Sequence, residues 1–149
     1  MSKWLILLLF GVILFTGWWI YKNSQVKEGW EKIKIGKTIV RVQVRDTMAG
    51  RGQGLSGVER LEKDEGMLFV FPVEGRHSFW MKDMKFDLDF VWIKDDKVVE
   101  ITEGVSAPKQ GERPVSVRPE GQVNKVLEVN SGWVGRHAIE VEDKVILDN

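Results

Sequence analysis

The sequence predicts an all-β fold with one or two short helices: a compact barrel-like or sandwich domain behind an N-terminal transmembrane helix. Three observations carry that reading. From Thr38 the pattern has period two, with Val40, Val42 and Val44 alternating with Arg41, Gln43 and Arg45, as a strand with one buried face requires. Short apolar runs recur with glycine and proline between them, "GMLFVF" (66–71), "DLDFVWI" (87–93), "KVVEI" (97–101) and "KVIL" (144–147), which suits strands and turns. The third is "WLILLLFGVILFTGWWIY" (4–21), eighteen residues without a charge.

As a helix that stretch would rise about 27 Å at roughly 1.5 Å per residue, close to the thickness of a hydrocarbon core of about 30 Å. Trp4 at one end and Trp18, Trp19 and Tyr21 at the other suit the two interfaces, with Lys3 and Lys22 just beyond. The following "TGWWIYKNS" (16–24) puts bulky aromatics where signal peptidase needs small residues. Residues 1–22 therefore read as an anchor or uncleaved signal, 23–36 as a mixed-charge stalk, and 37–149 as a single β-rich domain. Lys22, Lys27, Lys32 and Lys34 favour a cytoplasmic C-terminal side by charge bias, yet Glu28 and Glu31 sit among them and long domains often translocate regardless. The expectation is a single-pass membrane protein with its domain outside the cytoplasm.

Along the domain, Asp46 or Thr47 is placed to cap a short helix that the glycines at 50, 52, 54 and 57 end or weaken. Residues 66–71 read as a strand covered on both faces and closed by Pro72. The runs flanking Lys94, Asp95 and Asp96 read as a hairpin with an Asp-Asp turn. Residues 105–121, with Pro108, Pro114 and Pro119, predict a long surface loop. Weak alternation over 125–129, a turn or one helical turn at "SGWVGRH" (131–137) and a closing strand at 144–147 complete the chain.

Lys plus Arg and Asp plus Glu both number 22, so no global basic field exists to gather phosphates, and nucleic acid is not expected as a partner. With no cysteine, disulfides, thiol nucleophiles and thiolate zinc sites are excluded. No cofactor is implied.

The densest chemistry lies in "RHSFWMKDMKFDLDF" (76–90). Asp83, Asp87 and Asp89 offer oxygen ligands, but the spacing of a calcium loop is missing and Arg76, Lys82 and Lys85 balance the charge, so no metal site is expected. On a strand, Asp87 and Asp89 would share a face, and a close carboxylate pair can split its pKa values into an acid and a base. With His77 they are the catalytic candidates for an envelope polysaccharide hydrolase. The alternative is structural. Phe79, Trp80, Met81, Phe86, Leu88 and Phe90 would supply core, and Asp89 would be a register clamp accepting hydrogen bonds from loop amides or a basic side chain. Trp80, Trp92 or Trp133, if exposed, could stack on sugar rings or peptide side chains.

Five segments, "GLSGVERL" (54–61), "GMLFVF" (66–71), "HSFWMKDM" (77–84), "LDFVWI" (88–93) and "VLEVNSGW" (126–133), occur together and in the order seen in the family called domain of unknown function 192. The resemblance covers about residues 39–147. It implies one compact, mostly β domain, often behind an export signal or membrane anchor, and brings no known reaction. Asp83, Met84 and Asp87 depart from the Asn-Thr and Pro common at those places, and Glu142-Asp143 from a common Gly-Asp. The resemblance carries over His77, Lys82 and Asp89, with Arg60 and Glu128 more distant. Candidate ligand-binding residues are thus Arg60, His77, Trp80, Lys82, Asp89, Glu128 and Trp133. The leading expectation is a membrane-tethered module that binds a ligand or protein partner at the envelope. The hydrolase, and a scaffold in a membrane complex, are the alternatives.

Overall fold

The computed structural model describes residues 29–147. The expected anchor (1–22) and the start of the expected stalk lie outside the described residues, among which no helix is long and apolar enough to cross a membrane.

Nine strands and two short helices are described, in the order β1 (Trp30–Ile35), β2 (Thr38–Arg45), α1 (Met48–Gln53), β3 (Glu65–Gly75), β4 (Phe79–Trp80), β5 (Leu88–Lys94), β6 (Lys97–Val105), β7 (Ser116–Val117), β8 (Val123–Asn130), α2 (Trp133–His137) and β9 (Val145–Leu147). The fold is all-β with two short helices. Seven strands form one curled sheet in the order β6-β5-β8-β3-β2-β1-β9, and β4 pairs with β7 in a small second sheet. All pairs are antiparallel except β2 with β3. The sheet curls into a half-barrel whose outermost strands meet at one end, where Lys97 bridges Lys144 and the Val98 amide donates to the Asp143 carbonyl at 3.0 Å.

Two cores follow from the alternation of side chains across the sheet. Inside the curl lie Ile33, Ile35, Val40, Val42, Leu68, Val91, Leu127 and Val129, closed by Trp133, Val134 and Ile139 of the α2 region. On the outer face of β3, β5 and β8, Met67, Phe69, Leu88, Phe90, Trp92 and Val126 form a second cluster with Leu55, Met81 and Met84 from the loops that roof it. Each such side chain contributes on the order of 1.5 to 3 kcal/mol when fully covered.

The hairpin at Asp95-Asp96 forms as the turn chemistry predicts, with Lys94 opposite Lys97 and Asp95 at φ 55°. Thr47 caps α1 by accepting from the Gly50 amide at 3.0 Å. Two boundaries differ from the sequence reading. Residues 30–35 are a strand, not stalk: Ile33 and Ile35 point into the core while Lys32 and Lys34 face solvent, so one buried face suffices despite few apolar residues. β3 also runs past Pro72 to Gly75. Its pairing with β8 is interrupted between Val70 and Gly75, so the missing proline N–H leaves no ladder bond unmade. The long loop 105–121 contains the two-residue strand β7, which seats β4.

Candidate functional site: a buried glutamate beneath an exposed tryptophan

Glu128 sits at the centre of the sheet on β8, opposite Met67 of β3 and opposite Phe90 of β5. Both neighbours are buried. Its side chain faces the outer core, and it is itself only 5% exposed. Burial alone pushes its carboxyl up to about 8, because no charge or hydrogen bond favours the ionised form there. Among the described residues no side-chain nitrogen or oxygen is both sealed from solvent and unpaired. The Glu128 side chain lines a pocket.

That pocket is a cavity of about 40 Å³ between the sheet and the last turn of α1 with the segment that follows it. Since one water needs roughly 10 to 15 Å³ on this measure, it holds two or three waters or one small functional group. Glu128 and Phe69 line its inner side, Gly52 to Ser56 one wall, and Trp80 and Met84 the other. The wall is pinned by local chemistry. Ser56 Oγ donates to the Lys82 carbonyl at 3.0 Å, and the Gly57 amide donates to the Asp83 carbonyl at 3.1 Å. Gly54 adopts φ 52°, and a Cβ there would lie 3.3 Å from the Phe69 ring, so the loop passes where only glycine fits without strain. Arg51 donates to the Val70 carbonyl at 2.9 Å and to the Asp46 carbonyl, and its guanidinium lies 5.2 Å from the centre of the Phe71 ring.

Trp80 is 58% exposed. It is held by the pairing of β4 with β7, opposite Ser116, and Lys82 Nζ lies 5.2 Å from its ring centre. An exposed indole beside a cavity is a stacking surface for a flat apolar face.

The other sequence candidates disperse. Asp89 is fully buried on the inner face, one carboxylate oxygen accepting from the Gly104 amide at 2.9 Å and the other from the Val134 amide at 3.1 Å. It thereby caps α2, whose N-cap residue Gly132 has no side chain to do so. Asp87 lies just before β5, is exposed, and accepts from the Ala107 amide at 2.8 Å. The two aspartates thus differ in burial, and each is committed to loop amides. His77 stacks on Phe71 at 3.5 Å with Nε2 3.1 Å from the Val73 carbonyl. Arg60 is an exposed residue paired with Glu62 at 3.2 Å. Trp133 is fully buried, its indole N–H donating to Asp64 at 3.3 Å, so it has no face to offer a ligand. Trp92 is likewise buried and donates to Thr102 at 2.9 Å. Of the candidates, only Trp80 and Glu128 line the pocket, with Lys82 beside the indole. Among the described residues no three His, Asp or Glu side chains gather to hold a metal ion.

Sequence reasoning missed Arg51 and the wall 52–56. Four closely spaced glycines signalled a weakened helix, and the same spacing also marks a backbone that packs closely against an aromatic core.

Among the described residues, fold and site define a small β domain with a curled mixed sheet and a lateral pocket over a buried acid. The chain belongs to the domain of unknown function 192 family, described as an uncharacterized ACR, whose model matches residues 31–147. It is similar to a crystal structure from Sinorhizobium meliloti 1021 described as that of a candidate transcription regulator, with a TM-score of 0.71 and 25% identity over 83% of this chain and 98% of that one. It is also similar to a protein of unknown function from Novosphingobium aromaticivorans, with a TM-score of 0.66 and 28% identity over 77% of this chain and 83% of that one. No curated protein matches the chain.

Proposed function

We propose that this domain is a ligand-binding module that takes a neutral polyhydroxyl chain, such as an envelope glycan, with one hydroxyl or amide group against Glu128 and the adjoining ring on Trp80. The observation that carries this reading is a buried carboxyl, without a hydrogen-bond partner among the described residues, opening on a small cavity beside an exposed indole. With its pKa near 8 the acid is protonated by roughly ten to one at pH 7. A protonated carboxyl donates one hydrogen bond and accepts another, and its complement is a group that does both. A cationic ligand fits less well, since Arg51 lines the pocket and Lys82 lies over Trp80.

Binding is favoured over hydrolysis by the placement of the carboxylates. Glycoside hydrolysis uses two carboxyl groups facing one bond. Here Asp87 and Asp89 are tied to amides, and neither lines the pocket that Glu128 does. In this proposal the apolar run 4–21 holds the chain in a bilayer with the domain outside the cytoplasm, a reading supported by its length and aromatic flanks.

The test is calorimetric titration of the full chain in detergent micelles with an N-acetylglucosamine tetrasaccharide at pH 6.5 and pH 9.5. Expected are saturable binding at the lower pH, at least tenfold weaker binding at the higher, and loss of binding in Glu128→Leu. Absence of binding at both pH values, or undiminished binding by Glu128→Leu, would contradict the proposal.

A further inference from the structure

We infer that the outer face of β9-β1-β2 is a docking surface for the anionic phospholipid headgroups of the bilayer that the chain's own apolar run would enter. This docking rests on the membrane anchor proposed above and is independent of the Glu128 pocket.

Strand alternation separates two populations on these strands. Ile33, Ile35, Val40, Val42 and Val145 point inward and are buried. The opposite side of the same strands carries Lys32, Lys34 and Arg41, together with three large apolar residues that no described element covers. Ile39 is 56% exposed, Ile146 43% and Trp30 38%. The register brings them side by side, for Lys34 lies opposite Ile39 on one flank and opposite Ile146 on the other. Arg41 lies 5.0 Å from the centre of the Trp30 ring. Among the described residues Glu65 pairs with Arg41 at 3.3 Å, and the Asp143 carboxylate lies beside Gly36 in the β1–β2 turn. Among the described residues Lys32, Lys34 and the neighbouring turn residue Lys37 have no carboxylate within ion-pair distance. Cations interleaved with aliphatic side chains and a tryptophan are the composition of a surface that meets lipid headgroups and the acyl boundary together.

The length of chain outside the described residues fixes which surface this patch meets. Only residues 22–29 separate the apolar run from Trp30. Fully extended, eight residues reach no further than about 30 Å at 3.3 to 3.6 Å each. The strand that begins at Trp30 is therefore held within a few Debye lengths of the headgroups, a Debye length being about 8 to 10 Å at physiological ionic strength. In the tether Lys22 and Lys27 outnumber Glu28 and add to the same attraction. With the anchor raising the local concentration, weak individual contacts are enough to hold the domain down.

The absence of cysteine from the chain allows a clean test. The full chain, as an Ile39→Cys variant carrying an environment-sensitive fluorophore, is reconstituted into vesicles of phosphatidylcholine alone or with 30% phosphatidylglycerol, and quenching by neutral acrylamide is measured. A Val73→Cys label, on an exposed residue outside the patch, reports general accessibility. Expected is at least fivefold slower quenching at position 39 in the anionic vesicles only, reversed by 0.5 M salt and by Lys32→Glu/Lys34→Glu, with position 73 unchanged. Equal quenching at position 39 in both vesicle types, with the protein floating with them, would overturn the docking while leaving the anchor intact. Failure to float with either vesicle would remove the anchor and the docking with it.

Discussion

Asp89 and Glu128 occupy adjacent rungs of the same strand pair, Asp89 opposite Val129 and Phe90 opposite Glu128, and send their carboxyls to opposite faces of the sheet. Both are buried. Asp89 receives an amide on each oxygen, whereas burial is the sole influence on the Glu128 carboxyl. One acid is therefore part of the frame, and the other is available to a visiting group. The predictions separate those roles.

Replacing Asp89 should damage the fold. Asp89→Ala leaves the Gly104 and Val134 amides without their acceptor and should cost about 2 to 4 kcal/mol, since hydrogen bonds to charged groups contribute roughly 1.5 to 3 each. Asp89→Asn keeps one acceptor and turns an NH₂ group toward the other amide, so it should also destabilise. Urea unfolding measures both. A loss below 0.5 kcal/mol for the alanine variant would show that the carboxylate does not clamp α2 to the sheet.

Glu128 should set a pH dependence of stability. Its folded pKa is raised above the ordinary value near 4.5 to about 8, so between those values the folded state holds a proton that the unfolded state has released. Stability then falls with rising pH across this window, by up to about 1.4 kcal/mol per unit, and levels off above pH 8. Glu128→Gln should remove this contribution and be more stable than the parent at pH 8. Equal slopes for parent and variant in thermal melts from pH 5 to pH 8 would count against it.

Gly66 should tolerate no side chain. A Cβ there would lie 2.6 Å from the Glu128 carbonyl and 3.0 Å from Val129 Cγ1. Forcing the strands apart should cost about 1 to 3 kcal/mol or more and lift the floor of the pocket. Gly66→Ala should melt well below the parent, while Gly52→Ala, with open space around its Cβ, should change stability little.

Trp80→Ala should separate stability from binding. With more than half its surface exposed, its loss should shift unfolding by about 0.5 kcal/mol or less, yet weaken glycan binding about tenfold. Loss of the fold would make the indole a core residue instead.

Much of the fold was readable because the period-two signal is strong wherever one strand face is apolar, as at Val40 to Val44, and because Asp95-Asp96 and Thr47 carry local turn and cap chemistry. β1 escaped because Ile33 and Ile35 alone mark its buried face, and its lysines imitate a tether. The site was harder. Glu128 reads as one charge in an alternating strand, and only the pairing of β8 between β3 and β5, three segments distant in sequence, shows that Met67 and Phe90 desolvate it. Asp87 and Asp89 looked like a pair by spacing, but β5 begins after Asp87, and each carboxylate has its own loop amides.

The most direct measurement is the titration of the Glu128 side-chain carbon by NMR in the intact protein, assigned by its absence from Glu128→Gln. A midpoint near 8, moving when a saturating glycan is added, is the result predicted. A midpoint near 4.5, unmoved by glycan, would mean that the carboxyl is solvated and that the pocket is not built around it.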